Sequence, residues 1–144
     1  MSFFKAMEIS SSGLAAQRLR MNALSANLAN AQTTRTEEGG PYKRRDVVFT
    51  AVPTAEFGDY LDEAYGAQLQ KVRVSDIHED TKAPRRAYDP GHPDADENGY
   101  VNMPNVQVMT EMVNMIAATR AFEANTTALN EAKQMALKSL EIGR

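Results

Sequence analysis

The C-terminal part of the chain contains one long uninterrupted stretch with a helical period. Residues 105–142 contain neither proline nor glycine, and Pro104 stands just before them. Apolar side chains recur in this stretch at every seventh position, at Val108, Met115, Phe122, Leu129 and Ala136. This spacing predicts a helix of about 37 residues, roughly 55 Å long.

The predicted helix carries more apolar surface than one partner helix can cover. In EMVNMIAATRAF, residues 111–122, only Asn114 and Thr119 are polar between Met112 and Thr119. Further apolar side chains stand outside the seven-residue lane, at Met109, Met112, Ile116, Leu137 and Leu140. A helix that is hydrophobic on several sides has to be covered on several sides. We therefore expect the surplus apolar surface to meet other chains.

The N-terminal end repeats this arrangement. A second apolar lane runs through Met7, Leu14, Met21 and Leu28, with Leu24 beside it. It predicts a second helix, in which small alanines let a neighbouring helix approach closely. Gly13 is the weak point of this helix, at a cost of about 1 kcal/mol relative to alanine. We predict that the two terminal helices pack together as an antiparallel coiled coil.

The middle of the chain differs from both ends in charge. Residues 36–104 carry a net charge of −6, whereas the segments before and after them carry +3 and 0. Seven of the ten aromatic residues also lie in this middle part, which indicates a separate module. We expect a helical domain built from residues 1–34 and 104–144, with a central module formed by residues 35–103.

Strand signals and turn signals alternate within this module. The β-branched and aromatic run Val47–Thr50, ended by Pro53, predicts one strand, and residues 67–77 predict another. Residues 55–66 are turn-rich, and residues 82–101 contain three prolines and two glycines that exclude a regular helix. The expected fold class is therefore mainly α, with a small β-rich insert between two long terminal helices.

The composition excludes several classes of protein. The chain has no cysteine, which removes disulfides and thiol chemistry. No apolar run reaches the 18 or more residues of a membrane span, and the N-terminus lacks a secretory signal pattern. The basic run at residues 43–45 is followed at once by Asp46, so solvated charge or salt bridging between subunits fits it better than nucleic-acid binding.

Two groups of residues are candidates for site chemistry. Residues 94–99, DADENG, match the first half of a calcium-binding EF-hand loop, but Asn105 stands where the loop needs a bidentate glutamate. An Asx-rich turn is the better interpretation. His78 and His92 are the only histidines, and neither has a metal ligand at helical spacing. We expect no cofactor, no metal site and no catalytic residue.

Three segments carry a resemblance to a known family. SANLANAQTTR, residues 25–35, resembles a stretch near the N-terminus of bacterial flagellar rod and hook axial proteins. Residues 37–49 and 88–115 are similar to proximal rod proteins of the FlgC type, and residues 120–144 to the C-terminal helix of the superfamily. Residues 54–82 carry no clear resemblance. The positions that match the family's motifs are Asn27, Asn30, Thr33, Gly39, Gly40, Pro41, Tyr42, Gly91, Pro93, Gly99, Tyr100, Pro104 and Asn105.

The resemblance implies a structural subunit of the flagellar basal-body rod in the periplasmic space. It implies export by the flagellar type III apparatus without a cleaved signal peptide, and terminal helices packed as an inner tube. The implied partners are further copies of the chain, other proximal rod proteins, the ring–rod junction protein and the distal rod protein. Other classes stay open from the residues alone: a cytoplasmic adaptor that binds a partner helix, a small calcium-binding protein, or an enzyme using His78 or His92.

Overall fold

Two long helices form the ends of the protein in a computed structural model, which describes residues 3–54 and 69–142. Helix α1 spans Phe3–Ala29 and helix α2 spans Val108–Ile142. Both predicted helices are present; α2 has 35 residues, close to the predicted length, and α1 ends at Ala29. The turn-rich residues 55–66 and the first two residues of the second predicted strand lie outside the described residues.

The two helices pack side by side and run in opposite directions. Asn27 near the end of α1 contacts Glu111 near the start of α2, while Gly13 lies against Asn125 much farther along α2. A Cβ atom added to Gly13 would stand 2.8 Å from Asn125 Oδ1. Gly13, a weak point in the sequence, is therefore a place where α1 leaves room for the Asn125 side chain of α2, which a Cβ atom would obstruct.

The first two strands form an antiparallel ribbon that lies along α1. Strand β1 spans Arg45–Pro53 and pairs with strand β2, Gln70–Glu79, through a register that shifts at a bulge between Val48 and Phe49. At the far end of the ribbon, Lys71 Nζ lies 2.8 Å from Glu8 Oε1, and the Val72 amide donates to Ser12 Oγ at 3.1 Å. One side of α1 therefore faces α2 and another faces this ribbon.

The other two strands form a short hairpin. Strand β3 spans Arg85–Tyr88 and pairs antiparallel with strand β4, Tyr100–Met103. The predicted β-rich module thus consists, in its described part, of two separate two-stranded ribbons instead of one sheet. No helix that the structure describes is both long and apolar enough to cross a membrane.

The buried apolar core is small, and four of its members lie on the two helices. Only seven apolar residues of the described chain are buried, and three of them are alanines that lie on the helices, namely Ala16, Ala118 and Ala132. Among the helices and strands of the described chain, α2 packs against α1 alone. No other helix or strand of the described chain covers the remaining circumference of α2.

Candidate assembly interface

A buried polar cluster joins the two helices to the first strand. We call it the polar junction, and it consists of Asn27, Tyr42, Arg44 and Glu111 together with the backbone of Arg45. The Asn27 side-chain amide donates to the Arg45 carbonyl at 2.8 Å and accepts from the Arg45 amide at 2.8 Å. It also donates to Glu111 Oε2 at 3.0 Å and accepts from the Tyr42 hydroxyl at 3.1 Å.

Asn27 is fully buried, and these contacts use both its donors and both its acceptor positions. Its amide pairs with both backbone groups of Arg45, as a neighbouring strand would. Aspartate at this position offers no donor, and an apolar residue offers neither donor nor acceptor. The chemistry of the site therefore requires an amide side chain at residue 27.

The polar junction also contains a buried ion pair. Arg44 Nε donates to Glu111 Oε1 at 2.7 Å, and the Glu111 side chain is only 1% exposed. Burial alone would lower the pKa of Arg44, but its hydrogen bond to Glu111 and the charge of Glu111 raise that pKa above its ordinary value. Burial is the main cause that raises the pKa of Tyr42, so its hydroxyl remains a neutral donor to Asn27 at physiological pH.

Sequence reasoning identified Asn27 and Tyr42 but gave Arg44 and Glu111 no role in a site. Arg44 was assigned to solvated charge or to salt bridging between subunits, whereas it pairs within the chain. The available signal was a second seven-residue lane on α2, formed by Glu111, Ala118, Asn125 and Ala132. The first, second and fourth positions of this lane are buried, so it contributes the centre of the contact with α1.

The loop that follows α1 folds back onto the helix through other motif residues. The Asn30 amide donates to the Ala26 carbonyl, and the Thr33 hydroxyl donates to Asn30 Oδ1. Gly39 and Gly40 have φ angles of 85° and 81°, a left-handed conformation that glycine adopts without strain. This turn, followed by Pro41, brings Tyr42 back so that its amide donates to the Thr33 carbonyl at 3.0 Å.

Further motif residues shape the β3–β4 hairpin. Gly99 has a φ angle of 76°, and a Cβ atom there would stand 3.0 Å from the Tyr88 ring. The rings of Tyr88 and Tyr100 meet edge to face at 5.3 Å between centroids. Gly91 and Pro93 lie in the turns between the strands, Pro104 is buried, and Asn105 donates to Asp80 Oδ2 at 3.1 Å.

The acidic segment at residues 94–99 forms the Asx turn that the sequence indicated. The Asp96 carboxylate accepts hydrogen bonds from the backbone amides of Asn98 and Tyr100 and from the Arg86 guanidinium. The Tyr100 amide is the largest cause that lowers the pKa of Asp96. Within the described residues there is no group of three or more His, Cys, Asp or Glu side chains that could hold a metal ion.

The N-terminal part of α2 exposes large apolar side chains away from α1. Met109 is 74% exposed, Val113 63% and Ile116 56%, although all three are large apolar side chains. A groove of about 480 Å³ lies beside them, and its apolar lining includes Leu28 of α1 with Met112 and Met115 of α2. The helix is therefore apolar both at its seam with α1 and on surfaces that face away from it.

The predicted interface residues divide into three groups by exposure. Leu24 is buried. Half-buried residues flank the seam between the helices, namely Met7, Leu14, Met21, Leu28, Met115, Phe122, Leu129 and Ala136. Exposed residues lie on the outer surface of α2, namely Val108, Met112, Ile116 and Leu140. The seven-residue lane of the sequence analysis thus borders the contact with α1, and its first member, Val108, lies outside that contact.

Two family models match the ends of the chain. The model described as "Flagella basal body rod protein" matches residues 7–35, which cover most of α1 and the loop after it. The model described as "Flagellar basal body rod FlgEFG protein C-terminal" matches residues 97–142, which cover β4 and α2. The two matched segments meet each other at the polar junction.

Curated relatives match the chain over its whole length. A protein named "Flagellar basal-body rod protein FlgC" from Borreliella burgdorferi is 42% identical, over 99% of this chain and 98% of the relative. Proteins of the same name from Bacillus subtilis and Salmonella typhimurium are 41% and 40% identical, each over 100% of both chains.

Proposed function

The chain belongs to the FlgC family of flagellar basal-body rod proteins, and we propose that it polymerises through its terminal helices into the proximal rod. In this role it is a structural component of the flagellar basal body that transmits torque from the motor to the hook. It performs no catalysis, and no cofactor takes part.

The exposed apolar side chains in the N-terminal part of α2 are the observation that carries this proposal. Met109, Val113 and Ile116 expose large apolar side chains on a helix whose only neighbouring element in the described chain is α1. Exposed apolar patches of this kind mark sites of protein association. Burying one such side chain is worth about 1.5–3 kcal/mol, so a few of them per contact supply a substantial driving force.

The geometry also suits an open assembly. When one surface of a subunit binds a different surface of the next, the contact propagates instead of closing, and a helical array results. The terminal domain, residues 1–34 and 104–144, would pack through its helices as coiled coils in an inner tube, with residues 35–103 outside it. Close-packed interiors resist deformation, which is the property that a drive shaft needs.

The partners follow from this placement. The chain would contact further copies of itself, other proximal rod proteins, the ring–rod junction protein and the distal rod protein. It would reach the periplasmic space through the flagellar type III export apparatus. The polar junction would hold the outer module in a fixed position on the helix pair, because α1 bonds the start of β1 and α2 bonds Arg44, the residue just before it.

A substitution on the outer surface of α2 tests the proposal. Val113→Asp places a charge on a surface that is exposed in the single chain but would be covered in the rod. We expect normal cellular levels and normal secondary structure, with loss of the chain from isolated basal bodies and loss of motility. Val113→Leu, which keeps this position apolar, is the matched control and should assemble normally.

Normal rods and motility in the Val113→Asp variant would contradict the proposal. Deletion of residues 1–30 separates it from the alternative of a cytoplasmic adaptor. An adaptor would remain in the cytoplasm with its partner whether or not flagella assemble. A rod subunit that lacks α1 would fail to enter the basal body.

A further inference from the structure

We propose that the exposed side of α1 of one subunit packs antiparallel against the outer surface of α2 of a second copy. The inference rests on the proposed function, because it identifies the two surfaces through which the copies would join. One surface is the exposed lane of α1, formed by Phe4, Glu8, Ser11, Ala15, Arg18, Asn22, Ser25 and Ala29. The other is a lane of α2 that includes the groove beside Leu28 and is exposed except at the half-buried Thr126; it is formed by Met112, Ile116, Thr119, Glu123, Thr126, Asn130, Lys133 and Leu137.

The α1 lane is a continuous exposed surface on the side of the helix that faces away from α2. Every member of the lane is exposed, although α1 also contacts both α2 and the ribbon. It is occupied mainly by small residues, including Ser11, Ala15, Ser25 and Ala29, with Arg18 at its middle and Phe4 near its start. Small side chains leave room for large ones on a facing helix.

The α2 lane has the opposite character in its first half. Met112 and Ile116 are large, exposed and apolar, and they line the groove together with Thr119 and Glu123. The lane ends at Leu137, which is 52% exposed. Its members, like those of the α1 lane, are separated by alternating steps of three and four residues, as a helix-packing surface requires.

One antiparallel register makes the two lanes complementary along their whole length. In this register Arg18 faces Glu123. Phe4 lies 14 residues before Arg18, and Leu137 lies 14 residues after Glu123, so these two exposed apolar side chains face each other. In the other direction Ser25 lies opposite Ile116, so a small residue meets a large one.

The remaining facing pairs in this register agree with it. Glu8 faces Lys133, although Glu8 already forms an exposed ion pair with Lys71 of its own chain. Asn22 faces Thr119, so that two polar side chains meet. No ion pair in the described part of the chain engages Arg18 or Glu123, which leaves both charges available for each other.

The register is nearly the one that the chain uses internally. Within one subunit, Asn27 meets Glu111 and Met21 meets Thr119. The α1 helix of the neighbouring subunit would therefore lie at almost the same position along the axis of α2 as the α1 helix of the same subunit. Each α2 would be held between two α1 helices, on adjoining sides, and the contact would propagate because the two lanes are different surfaces.

Cysteine cross-linking tests this arrangement, since the natural chain has no cysteine. We would introduce Asn22→Cys in one copy and Thr119→Cys in another, and oxidise isolated basal bodies that contain both. We expect this pair to form a disulfide between two chains at least about fivefold more efficiently than a control pair, Asn22→Cys with Thr126→Cys. Residue 126 lies seven residues from the position that faces residue 22 in the proposed register. Such a register-dependent pair of two copies would support the inference.

Charge exchange provides an independent readout. Arg18→Glu and Glu123→Arg should each lower incorporation of the chain into basal bodies about fivefold, because each places like charges opposite one another. The two changes together should restore incorporation. Restoration would support the pairing, and additive loss in the double variant would overturn it.

The outcomes separate this inference from the proposed function. Assembled basal bodies in which both cysteine pairs react equally would overturn the register and leave the rod function intact. A cross-link from residue 22 to a different rod protein would show that this protein, and not a second copy of the chain, packs against the α1 lane. That result would overturn the inference. Absence of the unmodified chain from basal bodies would overturn the proposed function and the inference with it.

Discussion

Replacing Arg44 with methionine should destabilise the protein far more than the same change at Arg45, its neighbour in sequence. Arg44 pairs with a Glu111 side chain that is 1% exposed, whereas Arg45 and its partner Glu79 are 50% and 41% exposed. Without Arg44, the buried Glu111 carboxylate keeps one described hydrogen bond, from Asn27. The exposed Glu79 carboxylate is instead solvated by water when Arg45 is removed.

The two environments set the expected magnitudes. Removing one partner of a buried ion pair costs about 3–5 kcal/mol, because the other charge stays buried without compensation. The Arg44 side chain is itself 22% exposed, so water reaches that end of the pair and we expect a loss of about 3 kcal/mol. The exposed pair is worth about 0–1 kcal/mol. For a chain of nearly 150 residues, a loss of 3 kcal/mol corresponds to a fall in Tm of about 6–12 °C.

Urea unfolding of the dilute monomer, followed by far-ultraviolet circular dichroism, measures both values. Glu111→Gln in the Arg44→Met background is the informative second variant. It removes the buried charge while keeping the side-chain shape, so it should recover most of the lost free energy of unfolding. The reasoning would be refuted if Arg44→Met and Arg45→Met differ by less than about 1 kcal/mol, or if the second change destabilises the protein further.

Three other changes test separate parts of the structure. Asn27→Asp should cost more unfolding free energy in urea than Asn27→Ala, because it places a second carboxylate in the polar junction; equal losses would argue against the hydrogen-bonding scheme. Gly99→Ala should destabilise the hairpin by about 1–2 kcal/mol, since its φ angle is left-handed, and should move the NMR signals of the Tyr88 ring; unchanged ring signals would contradict the close contact. The low folded pKa of Asp96 stabilises the hairpin at neutral pH, and this contribution should be lost as the pH falls below 3.8 and through the folded pKa. The Tyr100 amide shift should report that titration, and Asp96→Asn should abolish it.

The helices could be predicted because their signals are local and repeated. A Pro-free and Gly-free stretch with apolar residues every seven positions has few alternatives to a long helix, and both predicted helices are present. The strand run at Val47–Thr50 was equally local, and its β-branched residues lie in β1. The surplus of apolar surface on α2 was also evident from composition alone, and the exposed Met109 and Ile116 confirm it for the single chain.

The polar junction could not be predicted in the same way. Glu111 stands in the seven-residue lane that faces α1, but nothing in the sequence links it to Arg44, 67 residues away. A glutamate in the first turn of a helix usually faces solvent, where it interacts with the helix dipole. The role of Gly13 was missed for a related reason: its cost to an isolated helix is local, but its benefit depends on Asn125 of another helix.

The ribbon's two attachments to α1 have a mechanical consequence. One attachment is the Asn27 amide at the start of β1, and the other is the pair of contacts from Lys71 and Val72 to Glu8 and Ser12. Ser12 and Asn27 are about 22 Å apart along the helix. A tangential force on the outer module is therefore opposed at two separated points on α1, which prevents the ribbon from rotating. With a single attachment the ribbon could turn about that point. The exposed Lys71 end is the weaker of the two and would yield first under overload.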